Sequence, residues 1–183
     1  KVFLAGEFLK PGVLFLPATS TLSEALFRCG GIGDYGSLRN ISVKRNDKEF
    51  QTFDFYKMLL NGDNPGKQPL LENDVIFIPT IKNQVSVFGQ VIRPAIYEIK
   101  DEFELSNVIM LSGGFRHNAY PGLIEVQRID SNGQTSILNL DYKKDKLFKL
   151  QNGDLVEVME ASSVKPTAVI LDGLCDSPGE YEW

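Results

Sequence analysis

One histidine, two cysteines, one tryptophan and three methionines are all that this 183-residue chain holds of those residue types. The single imidazole, His117, stands in a polar loop with no second candidate ligand, so it reads as a surface residue. No metal-ligand cluster, nucleophile motif or phosphate loop can be assembled from the sequence, so the chain is expected to be no enzyme and to use no cofactor. Long apolar runs are also missing, and none approaches the roughly 18 to 20 residues of a membrane helix. Positive charge is in deficit: 19 Lys and Arg against 24 Asp and Glu give a formal net charge of −5. That balance argues against a nucleic-acid role, which wants a dense basic face. The one lysine cluster, Lys143, Lys144, Lys146 and Lys149, is interleaved with Asp141 and Asp145 and reads as a solvated loop.

What is present in quantity is the composition of a globular protein, 43% hydrophobic and 23% charged, together with an internal repeat. Val85 to Tyr97 reads VSVFGQVIRPAIY, Val2 to Leu14 reads VFLAGEFLKPGVL, and Val169 to Tyr181 reads VILDGLCDSPGEY. An apolar run ends in glycine and a proline follows five residues later in each copy: Gly6 and Pro11, Gly89 and Pro94, Gly173 and Pro178. Glycine permits a positive φ where a strand must bend, and proline fixes φ at the turn before the next strand. Gly12, Ala95 and Gly179 follow the prolines, and Ala95 implies that the second hairpin needs no positive φ there. An offset of 83 relates Gly6 to Gly89, Gly30-Gly31 to Gly113-Gly114, and Arg45 to Arg128. A period of about eighty residues suits tandem small domains.

Taken in order, the first repeat predicts a hairpin with its second strand at Val13–Leu16, then a helix opening at Thr21 with Glu24 completing a capping box. Leu22, Ala25, Leu26 and Cys29 make one apolar helical face, and Gly30-Gly31 stops the helix. The second repeat matches with Ile96–Ile99, then Leu105, Val108, Ile109 and Ser112, and Gly113-Gly114; Glu104 and Asn107 replace the capping box, so its helix start is less defined. Alternating strands are expected at Ile41–Arg45 and Ile124–Arg128, with return strands at Phe50–Phe55 and Thr135–Leu140. Asn46-Asp47 and the Asn-Gly of Ser131-Asn132-Gly133 supply the turns between them. A variable segment with room for a short helix follows, and then an acidic turn (Asn73-Asp74, Gly153-Asp154) before a buried last strand. The order ββαββ(α)β, with a helix after the first hairpin of a small mixed sheet, is an α+β, ubiquitin-like β-grasp arrangement. Residues 1–80 and 84–160 form the two modules, 168–183 the first hairpin of a truncated third. The short joint at Pro79–Gln84 implies modules in a fixed relation.

Other candidates have bland readings beside them. Gly30-Gly31-Ile32-Gly33 follows a helix, whereas a dinucleotide fingerprint follows a strand. Asp74 and Asp154 recur as turn aspartates that bond nearby backbone N–H groups. Arg45 and Arg128, at the ends of equivalent strands, can pair with an acidic turn or form an interface with a neighbouring subunit. Cys29 falls on the apolar helix face and Cys175 in the third hairpin's turn, a separation that disfavours a bridge. Tyr35, Tyr56, Phe115 and Tyr120 are available for stacking on sugar rings, though their scatter is equally that of core edges.

An apolar strand ending in Gly-Glu-Phe or Gly-Gln-Val, Pro-Gly, a helix ending in Gly-Gly, a strand ending in Arg, and Gly-Asp-Leu-Val before the last strand resemble the SLBB domain, the soluble ligand-binding β-grasp module. Asn73 in place of the Gly-Asp glycine and Ala95 after Pro94 are departures that leave the fold intact. Tandem copies resemble the outer-membrane polysaccharide export family of Gram-negative bacteria. That resemblance implies a periplasmic part of a homo-oligomeric ring through which capsule or exopolysaccharide passes, with an inner-membrane export partner. The alternative is a small-ligand or saccharide-binding module acting as a monomer. With no initiator methionine, signal peptide or lipidation motif, and an end at Trp183, the chain is expected to be a piece of a longer protein.

Overall fold

Alternation sets the first sheet: in β1 (Val2–Gly6) Val2 and Leu4 are buried while Phe3 and Ala5 are half-buried on the other face. The computed structural model describes residues 1–63, 67–100, 103–130 and 132–161, and the backbone of strands 168–171 and 179–182. After β1 come β2 (Gly12–Leu14), α1 (Leu22–Arg28), β3 (Ile41–Arg45), β4 (Lys48–Phe53), α2 (Phe55–Asn61) and β5 (Val75–Ile78). The second set repeats the order as β6 (Gln84–Gly89), β7 (Ala95–Glu98), α3 (Leu105–Leu111), β8 (Ala119–Ile129), β9 (Thr135–Leu140), α4 (Tyr142–Asp145) and β10 (Leu155–Glu160). Two strands, β11 (Ala168–Leu171) and β12 (Gly179–Glu182), then pair antiparallel.

Both large sheets have five strands in the same spatial order, β2-β1-β5-β3-β4 and β7-β6-β10-β8-β9. The last strand of each set is the middle strand of its sheet. It runs parallel to the first (Leu4 beside Ile76, Val87 beside Val156) and antiparallel to the third (Val43 beside Ile76, Val126 beside Val156). This mixed α+β architecture is β-grasp-like. In the first sheet the apolar face closes on α1, whose Leu22, Ala25 and Leu26 share one core with Ile41, Val43, Ile76 and Ile78. Each of those side chains except the small Ala25 contributes on the order of 1.5–3 kcal/mol by leaving water. The second core is built alike from Leu105, Val108, Ile109, Ile124, Val126, Val156 and Val158. The chain divides into two units, Lys1–Gln84 with Glu98–Asp101, and Val85–Tyr97 with Glu102–Trp183.

Gly6 and Gly89 have left-handed φ of 87° and 78°, and a Cβ at either would run into the carbonyl oxygen of Ile78 or Val158 on the central strand. Glycine is therefore required twice over where the first strand meets the last. Pro11 and Pro94 stand immediately before β2 and β7; Gly12 is left-handed (φ 137°) and Ala95 is not, as its side chain requires. The paired glycines end both helices: Gly31 N–H donates to Leu26 O and Gly114 N–H to Ile109 O, both at 2.9 Å. Gly179 opens β12, while Gly173, Pro178 and Cys175 lie outside the described residues.

Several local expectations shift. The return strand is Lys48–Phe53 rather than Phe50–Phe55, because Asp54 caps α2 by accepting from Tyr56 N–H and draws Phe55 into the helix. Left-handed Asn46 and Asp47 make the β3–β4 turn tight enough for pairing to start at Lys48. The second strands of the hairpins are Gly12–Leu14 and Ala95–Glu98, each starting one residue earlier than expected and ending two residues earlier in the first and one in the second. Asn132-Gly133 falls in a longer loop closed by Asp130 N–H on Gln134 O, with Asp130 Oδ1 accepting from Asn132 and Gln134. The lysine cluster begins as helix α4 rather than loop, capped by Asp141 on Lys143 N–H; Lys143, Lys144, Lys146 and Lys149 are exposed.

Candidate functional site

Each acidic turn must hold a residue at positive φ before its aspartate. Gly153 does so at 88°, and Asn73 does so at 67°, since asparagine tolerates that region better than most. The turn aims the next carboxylate inward. Asp74, with its side chain wholly buried, accepts from Leu71 N–H and from Arg45 Nε and Nη2, all at 2.8 Å. Asp154, equally buried, accepts from Gln151 N–H (2.7 Å) and from Arg128 Nε (2.9 Å) and Nη2 (2.7 Å). Such two-pronged pairs join the end of the third strand to the start of the central one. Burial by itself would raise the Asp74 pKa, but the bonds from Arg45 and Leu71 outweigh it and hold the carboxyl below its ordinary value. Both arginines are raised above theirs, chiefly by the hydrogen bonds to their aspartates. Of the two readings of Arg45 and Arg128, the structure shows pairing with the acidic turns. Arg45 also lies 4.1 Å from the Phe50 ring centre and Arg128 5.6 Å from that of Phe148.

A second polar cluster belongs to the first unit. Ser37-Leu38-Arg39-Asn40 forms a cradle of donors around the buried Glu98 carboxylate. Ser37 Oγ donates at 2.5 Å, Leu38 N–H at 2.9 Å, Arg39 N–H at 3.2 Å and Asn40 Nδ2 at 3.3 Å. The Glu98 N–H donates to the Tyr56 hydroxyl and its carbonyl accepts from Arg39 Nη1. Arg39 in turn pairs with Asp54 (3.1 Å) and lies over the Tyr56 ring at 5.0 Å. Both carboxylate oxygens of Glu98 are thus occupied by donors, which makes it an anchor rather than a general base. Beside it lies an open hollow of about 520 Å³ walled by Asn40, Pro79, Thr80, Lys82, Asn83, Glu98, Ile99 and Lys100. A smaller one of about 300 Å³ lies between Lys1-Val2, Leu16–Ala18 and Leu70–Glu72.

Sequence reasoning missed Glu98. Its donors stand some sixty residues away, and the only local sign was a carboxylate in the otherwise apolar run Ile96–Ile99. Among the other candidates, Cys29 is a buried free thiol, His117 is exposed, and Tyr35 and Tyr120 are exposed. Phe115 is partly covered and meets Tyr142 edge to face at 4.9 Å. Among the described residues no His, Cys, Asp and Glu are grouped to hold a metal, and no helix is long and apolar enough to cross a membrane.

The sequence profile of the SLBB domain matches residues 1–53 and 84–138, more than half of the chain in two copies. No curated protein matches the chain.

Proposed function

From the premise that the chain belongs to the SLBB domain family, we propose that its two modules are structural and assembly units of a ring-forming polysaccharide export channel. By family they are soluble ligand-binding β-grasp modules. The proposal places them in the periplasmic part of an outer-membrane protein of a Gram-negative bacterium, without catalytic chemistry of their own. The observation that carries the reading is the duplication itself: one sheet order, one helix stop and one buried Arg–Asp clasp, built twice in tandem. A channel wall needs rigid repeated units whose surfaces fix the ring size while a hydrated polymer slides past without tight binding. An inner-membrane export component would hand the polymer on.

The test is the solution mass of the complete mature protein in mild detergent, measured by light scattering. A discrete high-order oligomer is expected; a monomer would overturn the channel. The alternative is a saccharide-binding module acting as a monomer, favoured by the hollow bordered by Lys82, Lys100, Asn40 and Asn83. It predicts saturable binding of neutral or acidic monosaccharides in an NMR titration of the chain, with shifts confined to those residues.

A further inference from the structure

Asparagine followed by glycine is the pair in which a backbone nitrogen reaches the preceding side-chain amide most freely, because glycine brings no Cβ to keep the two apart. The chain holds three such pairs: Asn61-Gly62, Asn132-Gly133 and Asn152-Gly153. Two of them are held. Asn61 ends α2, and Gly62 N–H donates to Met58 O at 3.0 Å. In the β8–β9 loop Gly133 N–H donates to Asp130 O at 3.0 Å, and Asn132 N–H to Asp130 Oδ1 at 2.8 Å. The third pair differs. Asn152 and Gly153 are exposed, and Gly153 N–H has no acceptor among the described residues. A Cβ placed on Gly153 would meet nothing within 4 Å, so the space around this nitrogen is open.

The matching turn of the first module has neither the pair nor the free N–H. Glu72-Asn73 stands there, and Asn73 N–H donates to Lys1 O at 2.9 Å. Around that difference the two turns are alike. Asp74 N–H donates to Leu71 O and Asp154 N–H to Gln151 O, both at 3.2 Å. Leu71 N–H and Gln151 N–H return to Oδ2 of Asp74 and Asp154 at 2.8 and 2.7 Å. Asn152-Gly153 therefore lies inside the loop of bonds that aims Asp154 at Arg128.

We infer that Asn152 is a spontaneous modification site, the first place at which the folded chain loses a side-chain amide, and that this loss loosens the second Arg–Asp clasp while the first stays intact. Water is the co-reactant. The Gly153 nitrogen gives its proton to solvent base and bonds to Asn152 Cγ; the Cγ–Nδ2 bond breaks, and ammonia leaves with a proton from solvent. Water then opens the five-membered imide, and no atom is oxidised or reduced. Opening at Cγ gives an ordinary aspartate, whereas opening at the main-chain carbonyl carbon gives an isoaspartate, whose main chain runs through Cβ and Cγ. The isoaspartate adds one main-chain atom to the turn, and both bonds that close the turn, from Gln151 N–H and from Asp154 N–H, span it. Either product also puts a negative charge near the buried Asp154 carboxylate, where a like charge is unfavourable.

Incubation of the intact chain at mildly alkaline pH tests this, with peptide mapping by mass spectrometry and isoaspartate labelling by a protein isoaspartyl methyltransferase. In guanidinium the three asparagines should react at similar rates. In the folded chain Asn61 and Asn132 should slow roughly tenfold or more, because each must first give up the hydrogen bond on its glycine N–H, while Asn152 is little slowed. Amide exchange then reads the clasp: in the aged chain protection at Val126 and Val156 should fall roughly tenfold, with Val43 and Ile76 unchanged. Asn152→Gln, at an exposed position and incubated alike, should keep its protection throughout. Reaction led by Asn61 or Asn132, an Asn152 that reacts only in guanidinium, a converted chain with Val156 still fully protected, or equal loss in Asn152→Gln would each overturn the inference.

Discussion

Helices α1 and α3 hold equivalent places in equivalent sheets, but their first turns are anchored by different means. Thr21 Oγ accepts from Glu24 N–H while Glu24 Oε2 accepts from Thr21 N–H, a closed loop of four residues. Glu104 makes no such side-chain bond; instead Leu105 N–H donates to Phe148 O and Ser106 N–H to Lys146 O, about forty residues away. The same obligation to satisfy the free N–H groups of a helix start is met locally in one module and by tertiary structure in the other. A module can therefore drift in its local signals while its frame stays fixed, provided that some other segment supplies the missing partner.

The comparison can be broken hardest at the glycines. Replacing Gly6 or Gly89 by alanine forces a side chain at positive φ into the carbonyl of the central strand, and either change should cost about 4 kcal/mol in denaturant unfolding. Unequal losses would show that the two parallel pairings are not equivalent. Next come the clasps: Arg45→Ala and Arg128→Ala each leave a buried aspartate uncompensated and should cost about 3 kcal/mol. Arg45→Ala should be the worse of the two by about 0.5 kcal/mol, because its guanidinium lies closer to an aromatic ring.

Acid probes the first clasp by another route. The folded pKa of Asp74 is depressed, so its contribution is fully present above the unfolded value near 3.9 and is lost as pH falls through the lower folded value. First-module stability, followed through Phe50 and Phe53 resonances, should thus fall progressively below about pH 4, and Asp74→Asn should flatten that dependence. The smallest effect distinguishes the helix starts. Thr21→Ala should cost about 1 kcal/mol, whereas Glu104→Ala should stay within about 0.5 kcal/mol of wild type. A large loss at Glu104 would mean that its side chain does more than the geometry shows.

Much of the frame was readable because its signals are local. Gly6 and Gly89, the paired glycines and the Thr21–Glu24 box each act within a few residues, and the repeat doubled their weight. The choice between two roles for Arg45 and Arg128 could not be made from sequence, because the deciding partners lie 29 and 26 residues on, across a folded turn. Glu98 stayed hidden for the same reason in stronger form: at the matching position of the first repeat stands Phe15, an exposed aromatic, so the repeat gave no hint of a carboxylate anchor. Strand ends shifted by a residue or two where Asp54 and the left-handed Asn46-Asp47 pair drew the chain into its next element.

The placement of the last strand in the middle of each sheet has a consequence for synthesis. β5 must slot between β1 and β3, and β10 between β6 and β8, so neither sheet can close until its final residues have left the ribosome. Up to that moment the first and third strands lack the partner they share, and unpaired strand edges of that kind are open to proteases and to strand exchange with a neighbouring chain. Once Ile76 or Val156 enters between them, the first and third strands are joined at a single step, and the module becomes resistant as a whole.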